Sequence, residues 1–232
     1  MRVGVVIFPG SNCDHDIEHV FGSVCGATMK RLWHKEKDVS GLDVIVIPGG
    51  FSYGDYLRTG AMAKLSPIME SVAQFAGRGG PVIGICNGFQ ILCEAGLLPG
   101  ALLHNVGMRF LSQFVHLKIE STRSVFTRGV SVGTVVTCPI AHGEGNYFAD
   151  DVTLKNLEDG DQIVFRYCDA HGGVDSNSRI SNPNGSCASI AGVCNSQGNV
   201  LGLMPHPERA SESLIGWIGT DSGRQLLEGV LR

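Results

Sequence analysis

Three short, continuous apolar runs constrain the fold of this chain more than any other feature of its sequence. Residues 3–8, 44–48 and 81–85 are rich in Val and Ile, and each run ends at a turn signal. Such runs are typical of strands that are buried on both faces of a sheet. Residues 14–26 and 61–77 lie between them, carry apolar side chains at helical spacing and stop at a glycine. Strands that alternate with helices predict an α/β fold with a parallel sheet and right-handed crossovers.

The pattern changes after about residue 105, where strand-like runs follow one another with few helical segments between them. These runs are residues 115–120, 132–139, 162–167, 189–193 and 200–204. We expect them either to extend the sheet or to form an antiparallel flap. A closing helix is expected at residues 222–231. Residues 177–186 are crowded with Asn, Pro, Gly and Ser, which indicates a loop.

Length and charge narrow the class of protein. The 232 residues, 43% of them hydrophobic, favour one large domain over residues 1–232. The net charge of -4 comes without any basic run, which disfavours nucleic-acid binding. The apolar N-terminal stretch ends at Pro9 and Gly10 and is too short for a signal segment or a membrane span, so we expect a cytoplasmic protein. None of the eight cysteines forms a C-x-x-C pair, and most are expected to be small core residues.

The strongest local signal surrounds Cys86. A β-branched run leads into Gly84-Ile-Cys86-Asn-Gly88, and a helical pattern follows. This is the spacing of a nucleophile elbow, with Cys in the place of Ser. The turn puts the thiol at a helix N-terminus, where the helix dipole favours the thiolate. We therefore interpret Cys86 as a nucleophile rather than as a core cysteine at a strand end.

A second glycine-rich turn, Gly49-Gly50, follows the apolar run at 44–48. No Lys-Ser or Lys-Thr comes after it, so it is not a phosphate-binding P-loop. A backbone N–H in such a turn can approach a developing oxyanion closely. The turn and the elbow are expected at the carboxyl ends of neighbouring parallel strands, where ligands collect in α/β sheets. A tight turn without further function is an equally good interpretation of this segment taken alone.

His206 is the best candidate for a base. It lies between Pro205 and Pro207 after a strand-like run, and fixed φ angles on both sides hold the ring in place. Glu208 is positioned to orient the imidazole and to stabilise its charged form. His142, in the segment A-H-G-E-G-N, remains open as a second functional histidine.

These features together resemble the class I, or triad, glutamine amidotransferases over essentially the whole chain. The resemblance rests on the G-I-C-N-G elbow, the upstream P-G-G turn and the C-terminal H-P-E sequence. Further segments resemble, within this family, the glutaminase subunits that serve formylglycinamidine ribonucleotide synthesis in purine biosynthesis. They are residues 48–55 (PGGFSYGD), 83–90 (IGICNGFQ), 141–147 (AHGEGNY), 182–186 (NPNGS) and 202–209 (GLMPHPER).

The resemblance implies a flavodoxin-like, three-layer fold with a mostly parallel central sheet and additional antiparallel strands in the C-terminal half. It implies that Cys86, His206 and Glu208 are catalytic and that the backbone N–H groups of Gly50 and Asn87 form an oxyanion hole. It also implies that glutamine is bound by Gln90 and by the backbone around Gly143. No role is assigned to Arg58 or to residues 182–186.

The implied reaction is hydrolysis of glutamine through a cysteine thioester, with ammonia passed to a partner. The implied partners are a large synthetase subunit and a small bridging subunit. ATP and magnesium would be used by the synthetase, and this chain would need no metal or cofactor of its own.

Three alternatives remain at this stage. The chain could serve a different synthetase, or it could be a Cys hydrolase of the DJ-1 type, which would not need the His-Pro-Glu sequence. It could also be a binding or regulatory subunit that has lost catalysis, although the intact Cys, His and Glu argue against this.

Overall fold

A nine-stranded sheet forms the centre of the molecule, seen in a computed structural model that describes residues 1–231. The strands are β1 (Arg2–Ile7), β2 (Thr28–Trp33), β3 (Val44–Ile47), β4 (Val82–Ile85), β5 (Ala101–Leu103), β6 (Leu111–Ile119), β7 (Val135–His142), β8 (Asn146–Phe148), β9 (Ile163–Cys168), β10 (Ile190–Cys194) and β11 (Val200–Leu203). The strand order in the large sheet is β2-β1-β3-β4-β11-β10-β9-β6-β7, and a separate two-stranded sheet pairs β5 with β8. The α-helices are α1 (Asp14–Glu18), α2 (Pro67–Gly77), α3 (Asn87–Glu94), α4 (Asp151–Asp159) and α5 (Ser222–Glu228).

The sheet changes direction at β11. The strands β2, β1, β3, β4 and β11 are parallel neighbours, whereas β10, β9, β6 and β7 continue the sheet through antiparallel pairs. The later strands therefore extend the sheet and do not form a flap. The α/β fold with additional antiparallel strands in the C-terminal half is confirmed.

The three apolar runs are strands β1, β3 and β4, and every residue of β3 and β4 is buried. Helices and loops cover both faces of such strands, so their sequences do not need to alternate between apolar and polar residues. The edge strand β2 was missed because half of its side chains are charged or polar and only Leu32 is fully buried.

Two helices differ from the sequence-based expectation. The segment predicted to be helical at 61–77 forms α2 only from Pro67 onward, after a short 3-10 turn at Ala63–Leu65. Proline favours the first turn of a helix and holds the preceding residue extended, as Ser66 is here with a ψ of 142°. Helix α4 was not predicted, although Asp150 caps it by accepting a hydrogen bond from the Thr153 N–H at 2.7 Å.

The remaining expectations about elements agree with the structure. The helical segment after β1 continues from α1 into a π-helical turn, His19–Val24, and the chain reverses at Gly26. The closing helix is α5 with a 3-10 extension, and residues 177–186 lie in a loop without strands or helices. Among the described residues, no helix combines the length and apolar character that crossing a membrane requires.

Candidate active site

Cys86 lies at the turn between β4 and α3, with a positive φ of 52° and a ψ of -107°. Residues other than glycine rarely adopt a positive φ, and strain of this kind is concentrated at functional sites. The flanking glycines are required by close packing. A Cβ on Gly84 would lie 2.5 Å from the carbonyl oxygen of Gly88, and one on Gly88 would overlap the carbonyl oxygen of Ile47. The elbow predicted from the spacing of these glycines is therefore the local geometry.

The sheet brings His206 to Cys86. Strand β11 runs parallel to β4 with Leu203 paired to Ile85, and the N–H of Cys86 donates to the Leu203 carbonyl at 2.8 Å. The segment that follows β11 therefore starts beside the elbow. Nδ1 of His206 lies 2.6 Å from Oε1 of Glu208, and these two side chains are 2% and 0% exposed.

The protonation of His206 follows from its surroundings. Burial on its own lowers the pKa of the imidazole, but the Glu208 carboxylate and the thiols of Cys86 and Cys13 outweigh it and hold the pKa of His206 well above its ordinary value. Because Nδ1 is taken by Glu208, Nε2 is the nitrogen that remains for the thiols. Nε2 is buried and has no well-formed hydrogen bond to any described residue. A charged imidazole beside a thiol is the arrangement that activates cysteine nucleophiles.

The side chain of Asn87 ties the N-terminus of α3 to the loop that follows Gly50, the other residue predicted to form the oxyanion hole. Asn87 is the first residue of α3, so its N–H has no acceptor within the helix. Its Oδ1 accepts from the N–H of Ser52 at 3.1 Å, and its Nδ2 donates to Gln90 at 2.9 Å. Gly50 has a φ of 147°, and a Cβ there would lie 2.8 Å from a carbonyl oxygen of the loop after β1. This arrangement is compatible with the oxyanion hole, whose function stays a prediction.

Two small cavities open on either side of Cys86. They share Gly50, Phe51, Phe110 and Ala141, and the two phenylalanine side chains are about half exposed. The cavity that we call the α3 cavity has a volume of about 120 Å³ and is also lined by Asp55, Thr59, Gln90, His142, Gly143 and Glu144. The one that we call the base cavity has a volume of about 140 Å³ and is also lined by Asn12, Cys13, His206 and Arg209.

Both residues predicted to bind glutamine line the α3 cavity. Gln90 is 5% exposed, and its Nε2 donates to the backbone carbonyl of Glu144 at 2.6 Å. The carbonyl of Gly143 accepts from the N–H of Asn105 at 2.9 Å. A Cβ on Gly143 would meet only a ring carbon of Phe110, at 3.9 Å, so neighbouring protein atoms do not require glycine here. The position of both residues fits their predicted role, which stays a prediction.

His142 presents an unprotonated nitrogen among the lining residues of the α3 cavity. The Nδ2 of Asn105 donates to two carbonyls, those of Arg109 and His142, at 2.8 Å each. Its Oδ1 is therefore the acceptor for Nδ1 of His142, at 3.0 Å, which leaves Nε2 without a proton. Burial, and after it the charge of His206, lowers the pKa of His142 to about 4. Nε2 is buried and has no donor among the described residues.

Two carboxylates line the same cavity, and sequence reasoning missed both. Burial, and after it the charge of Glu144, raises the pKa of Asp55 to about 6. Oδ1 of Asp55 is buried without a hydrogen-bond donor among the described residues. Glu144 accepts from the hydroxyl of Thr59 at 3.0 Å. Together with Nε2 of His142, these groups make this part of the cavity rich in acceptors and suited to a cationic N–H donor.

Cys13 lines the base cavity and was also missed as a site residue. It is 2% exposed, and its N–H donates to the carbonyl of Gly49 at 3.2 Å. Arg209 Nη2 lies 3.0 Å from its Sγ, while Nε of the same arginine pairs with Asp16 at 3.0 Å. No motif surrounds Cys13. Only the pairing of β1 with β3 puts it at the same edge of the sheet as Cys86.

Residues 182–186 and Arg58, to which the sequence assigned no role, make contacts that support the structure. Asn184 Nδ2 donates to the carbonyl of Gly145 at 2.8 Å, and the hydroxyl of Ser186 accepts from the N–H of Tyr147 at 3.1 Å. The loop over residues 182–186 therefore braces the segment that carries His142. Arg58 makes a two-pronged ion pair with Glu94, with distances of 2.5 and 2.8 Å.

Comparison with known proteins gives one consistent result. A family profile of the CobB/CobQ-like glutamine amidotransferase domain matches residues 1–222. The phosphoribosylformylglycinamidine synthase subunit PurQ of Moorella thermoacetica is 53% identical over 231 residues, which is 100% of this chain and 95% of that protein. The protein of the same name from Koribacter versatilis is 56% identical over 216 residues, covering 93% and 92% of the two chains. A chain in the structure of PurLQS from Thermotoga maritima has a TM-score of 0.84 and 42% identity, covering 99% of this chain and 97% of that one.

Proposed function

This chain belongs to the family of CobB/CobQ-like glutamine amidotransferase domains, and we propose that it is the glutaminase subunit of a phosphoribosylformylglycinamidine synthase. One observation carries the proposal. Buried Cys86, His206 and Glu208 meet at a nucleophile elbow, in a chain that matches proteins of that name over nearly its whole length. In this role a single glutaminase domain hydrolyses glutamine to glutamate and supplies ammonia for de novo purine biosynthesis.

The reaction begins with the Cys86 thiolate, which attacks the side-chain amide carbon of glutamine. The carbonyl oxygen becomes a tetrahedral oxyanion that accepts hydrogen bonds from the backbone N–H groups of Gly50 and Asn87. The protonated His206 gives its proton to the amide nitrogen, which leaves as ammonia when the intermediate collapses to a γ-glutamyl thioester. Glu208 keeps the ring oriented and stabilises its charged form throughout.

The second half of the reaction releases glutamate. Neutral His206 takes a proton from a water molecule, and the hydroxide that forms attacks the thioester carbon. The same oxyanion hole stabilises the second tetrahedral intermediate. Its collapse breaks the carbon–sulfur bond, so that glutamate leaves and the Cys86 thiolate is restored beside a protonated imidazole.

The α3 cavity holds the amino-acid end of the substrate. Gln90 and the backbone at Gly143 fix the chain of the glutamine. The acceptor groups of Asp55, Glu144 and His142 supply a matching environment for its α-ammonium group, which carries three N–H donors. This end of the cavity therefore selects a free amino acid.

The ammonia is consumed by a partner. We assign the ATP- and magnesium-dependent step to a large synthetase subunit of the PurL type, which converts formylglycinamide ribonucleotide into its amidine, and a bridging role to a small subunit of the PurS type. A homologous chain occurs in the structure of PurLQS from Thermotoga maritima, which supports this assembly. We place the complex in the cytoplasm, where a biosynthetic pathway of this kind operates.

The complex reconstituted from the three subunits tests this function. With Cys86→Ala we expect no product from glutamine, because no thioester can form, and normal product from added ammonium salt, because the synthetase chemistry lies in the partner. Cys25→Ala, which changes a partly buried cysteine beside Glu228 and Arg224, is the control and should use both nitrogen sources. The proposal would be wrong if Cys86→Ala lost both activities equally while circular dichroism and complex assembly stayed normal.

A further inference from the structure

Tyr53 is held at both its backbone and its side chain, and the proposed glutaminase reaction does not use it. Its N–H donates to the carbonyl of Pro9 at 2.6 Å. Its hydroxyl lies 2.6 Å from Nδ1 of His34 and 2.8 Å from the hydroxyl of Ser66. Its ring packs edge-on against His34, with the ring centroids 5.5 Å apart. Tyr53 therefore fastens the loop after β3 to the ends of β1 and β2 and to the start of α2.

The polar groups around the Tyr53 hydroxyl satisfy one another. The hydroxyl donates to one of its two neighbours and accepts from the other, so both contacts can be hydrogen bonds. His34 and Ser66 are each only 6% exposed, and losing the hydroxyl would leave a buried polar group unpaired. Ser66 is the N-cap residue of α2, where serine usually caps the helix, yet its side chain bonds no N–H of that helix. Its hydroxyl binds Tyr53 instead.

The loop that Tyr53 anchors is strained and begins at Gly50. Tyr53, Asp55 and Leu57 have φ angles of 56°, 54° and 73°. Residues other than glycine keep such angles only where the surrounding contacts impose them. The N–H of Gly50 has no acceptor among residues 1–231, which leaves it available to an oxyanion. The direction of this N–H depends on the conformation of the loop that follows it.

We propose that Tyr53 is a positioning residue, whose anchored hydroxyl holds the N–H of Gly50 at the place where the oxyanion develops. The inference rests on the proposed glutaminase function. A contact that forms only in the transition state raises kcat without tightening substrate binding. Most of the groups proposed to hold the amino-acid end, Gln90 and His142 among them, lie outside this loop. Losing the hydroxyl should therefore slow the reaction and leave glutamine binding nearly unchanged.

Glutamate formation by the reconstituted complex tests this role in Tyr53→Phe, which keeps the ring and removes the hydroxyl. We expect kcat to fall by about 10- to 100-fold, since a misplacement of about 1 Å can cost about 100-fold, and KM to change much less. Tyr56→Phe is the matched control in the same loop, because that side chain is 74% exposed, and it should behave like wild type. Calorimetry should give Cys86→Ala the same affinity for glutamine with and without Tyr53→Phe.

The two partners of the hydroxyl supply further variants. His34→Phe should also lower kcat, and the double variant with Tyr53→Phe should be no slower than the slower single one, because both changes break the same hydrogen bond. Ser66→Ala should lower kcat in the same sense without altering a ring. Urea unfolding shows that each variant is folded, and Ser66→Ala decides if Tyr53→Phe is not.

The inference is overturned if Tyr53→Phe and Ser66→Ala match the kcat of wild type, or if they raise KM instead of lowering kcat. Cys86→Ala should fail to use glutamine whether or not Tyr53 is anchored, so it reports on the proposed function separately.

Discussion

His206 and Glu208 act as one unit at the residue scale, because the carboxylate both orients the ring and holds its proton. We expect His206→Ala to lower the rate of glutamine hydrolysis by about 100- to 10,000-fold, the usual value of general acid–base catalysis. Glu208→Gln keeps an acceptor for Nδ1 but removes the charge, so its loss should be smaller. Glutamate formation by the purified chain and by the complex measures both. An active His206→Ala together with a crippled His142→Ala would mean that the base has been misidentified.

We expect Asp55 to make glutamine binding depend on pH. Its raised pKa of about 6 means that the carboxyl gains a proton as the pH falls through that value, and a neutral carboxyl attracts an ammonium group less. We therefore expect the KM for glutamine to rise as the pH drops from 7 towards 5, with a smaller effect on kcat. Asp55→Asn should show a high KM across this range and lose the pH dependence. A wild-type KM that stayed flat through pH 6 would contradict this role for Asp55.

At the scale of secondary-structure elements, replacing a glycine with alanine should have opposite effects on stability in two of the helices. Gly88 in α3 faces the carbonyl of Ile47 so closely that Gly88→Ala must push α3 away from β3, and overpacking of this kind typically costs about 1–3 kcal/mol. Gly77 ends α2, and a Cβ added there would meet nothing within 4 Å, so Gly77→Ala should be neutral or stabilising by up to about 1 kcal/mol. Urea unfolding of the two variants measures the free energies. If the two variants were equally stable, α3 would be able to move away from β3 without a cost in free energy, which would contradict this prediction.

The cysteines differ in reactivity at the scale of the whole molecule, because the fold puts Cys86 at the elbow beside the charged imidazole of His206, whereas burial keeps other thiols protonated. None of the eight is exposed, and burial raises the pKa of Cys168 and Cys194 to about 11, which keeps their thiols protonated and inert. We expect a diazo-ketone analogue of glutamine to label Cys86 with a stoichiometry of one per chain. Peptide mapping by mass spectrometry identifies the site, and the denatured chain is the control for total thiols. Preferential labelling of Cys13 or Cys168 would count against Cys86 as the nucleophile.

The sequence by itself determined the features that depend on local sterics. A short continuous apolar run that ends at a turn signal is typical of a strand covered on both faces, so β1, β3 and β4 were predictable. The elbow was predictable as well, because the two glycines around Cys86 stand at the spacing that the tight strand-to-helix turn requires. The joint occurrence of the elbow and the His-Pro-Glu sequence then indicated the family.

Tertiary structure decided what depends on contacts between distant segments. The insertion of β11 between β4 and β10 puts His206 beside Cys86, and strand order is not encoded in any local period. Asp55 and Glu144 are ordinary polar residues in the sequence, and they line one cavity together only because the loops after β3 and β7 meet there. Cys13 has no motif around it, yet the parallel pairing of β1 and β3 carries it to the edge of the sheet where His206 lies. The physical reason is the same in each case: pKa values, free ligand atoms and cavities arise from burial and proximity in space, which neighbouring residues in the sequence do not determine.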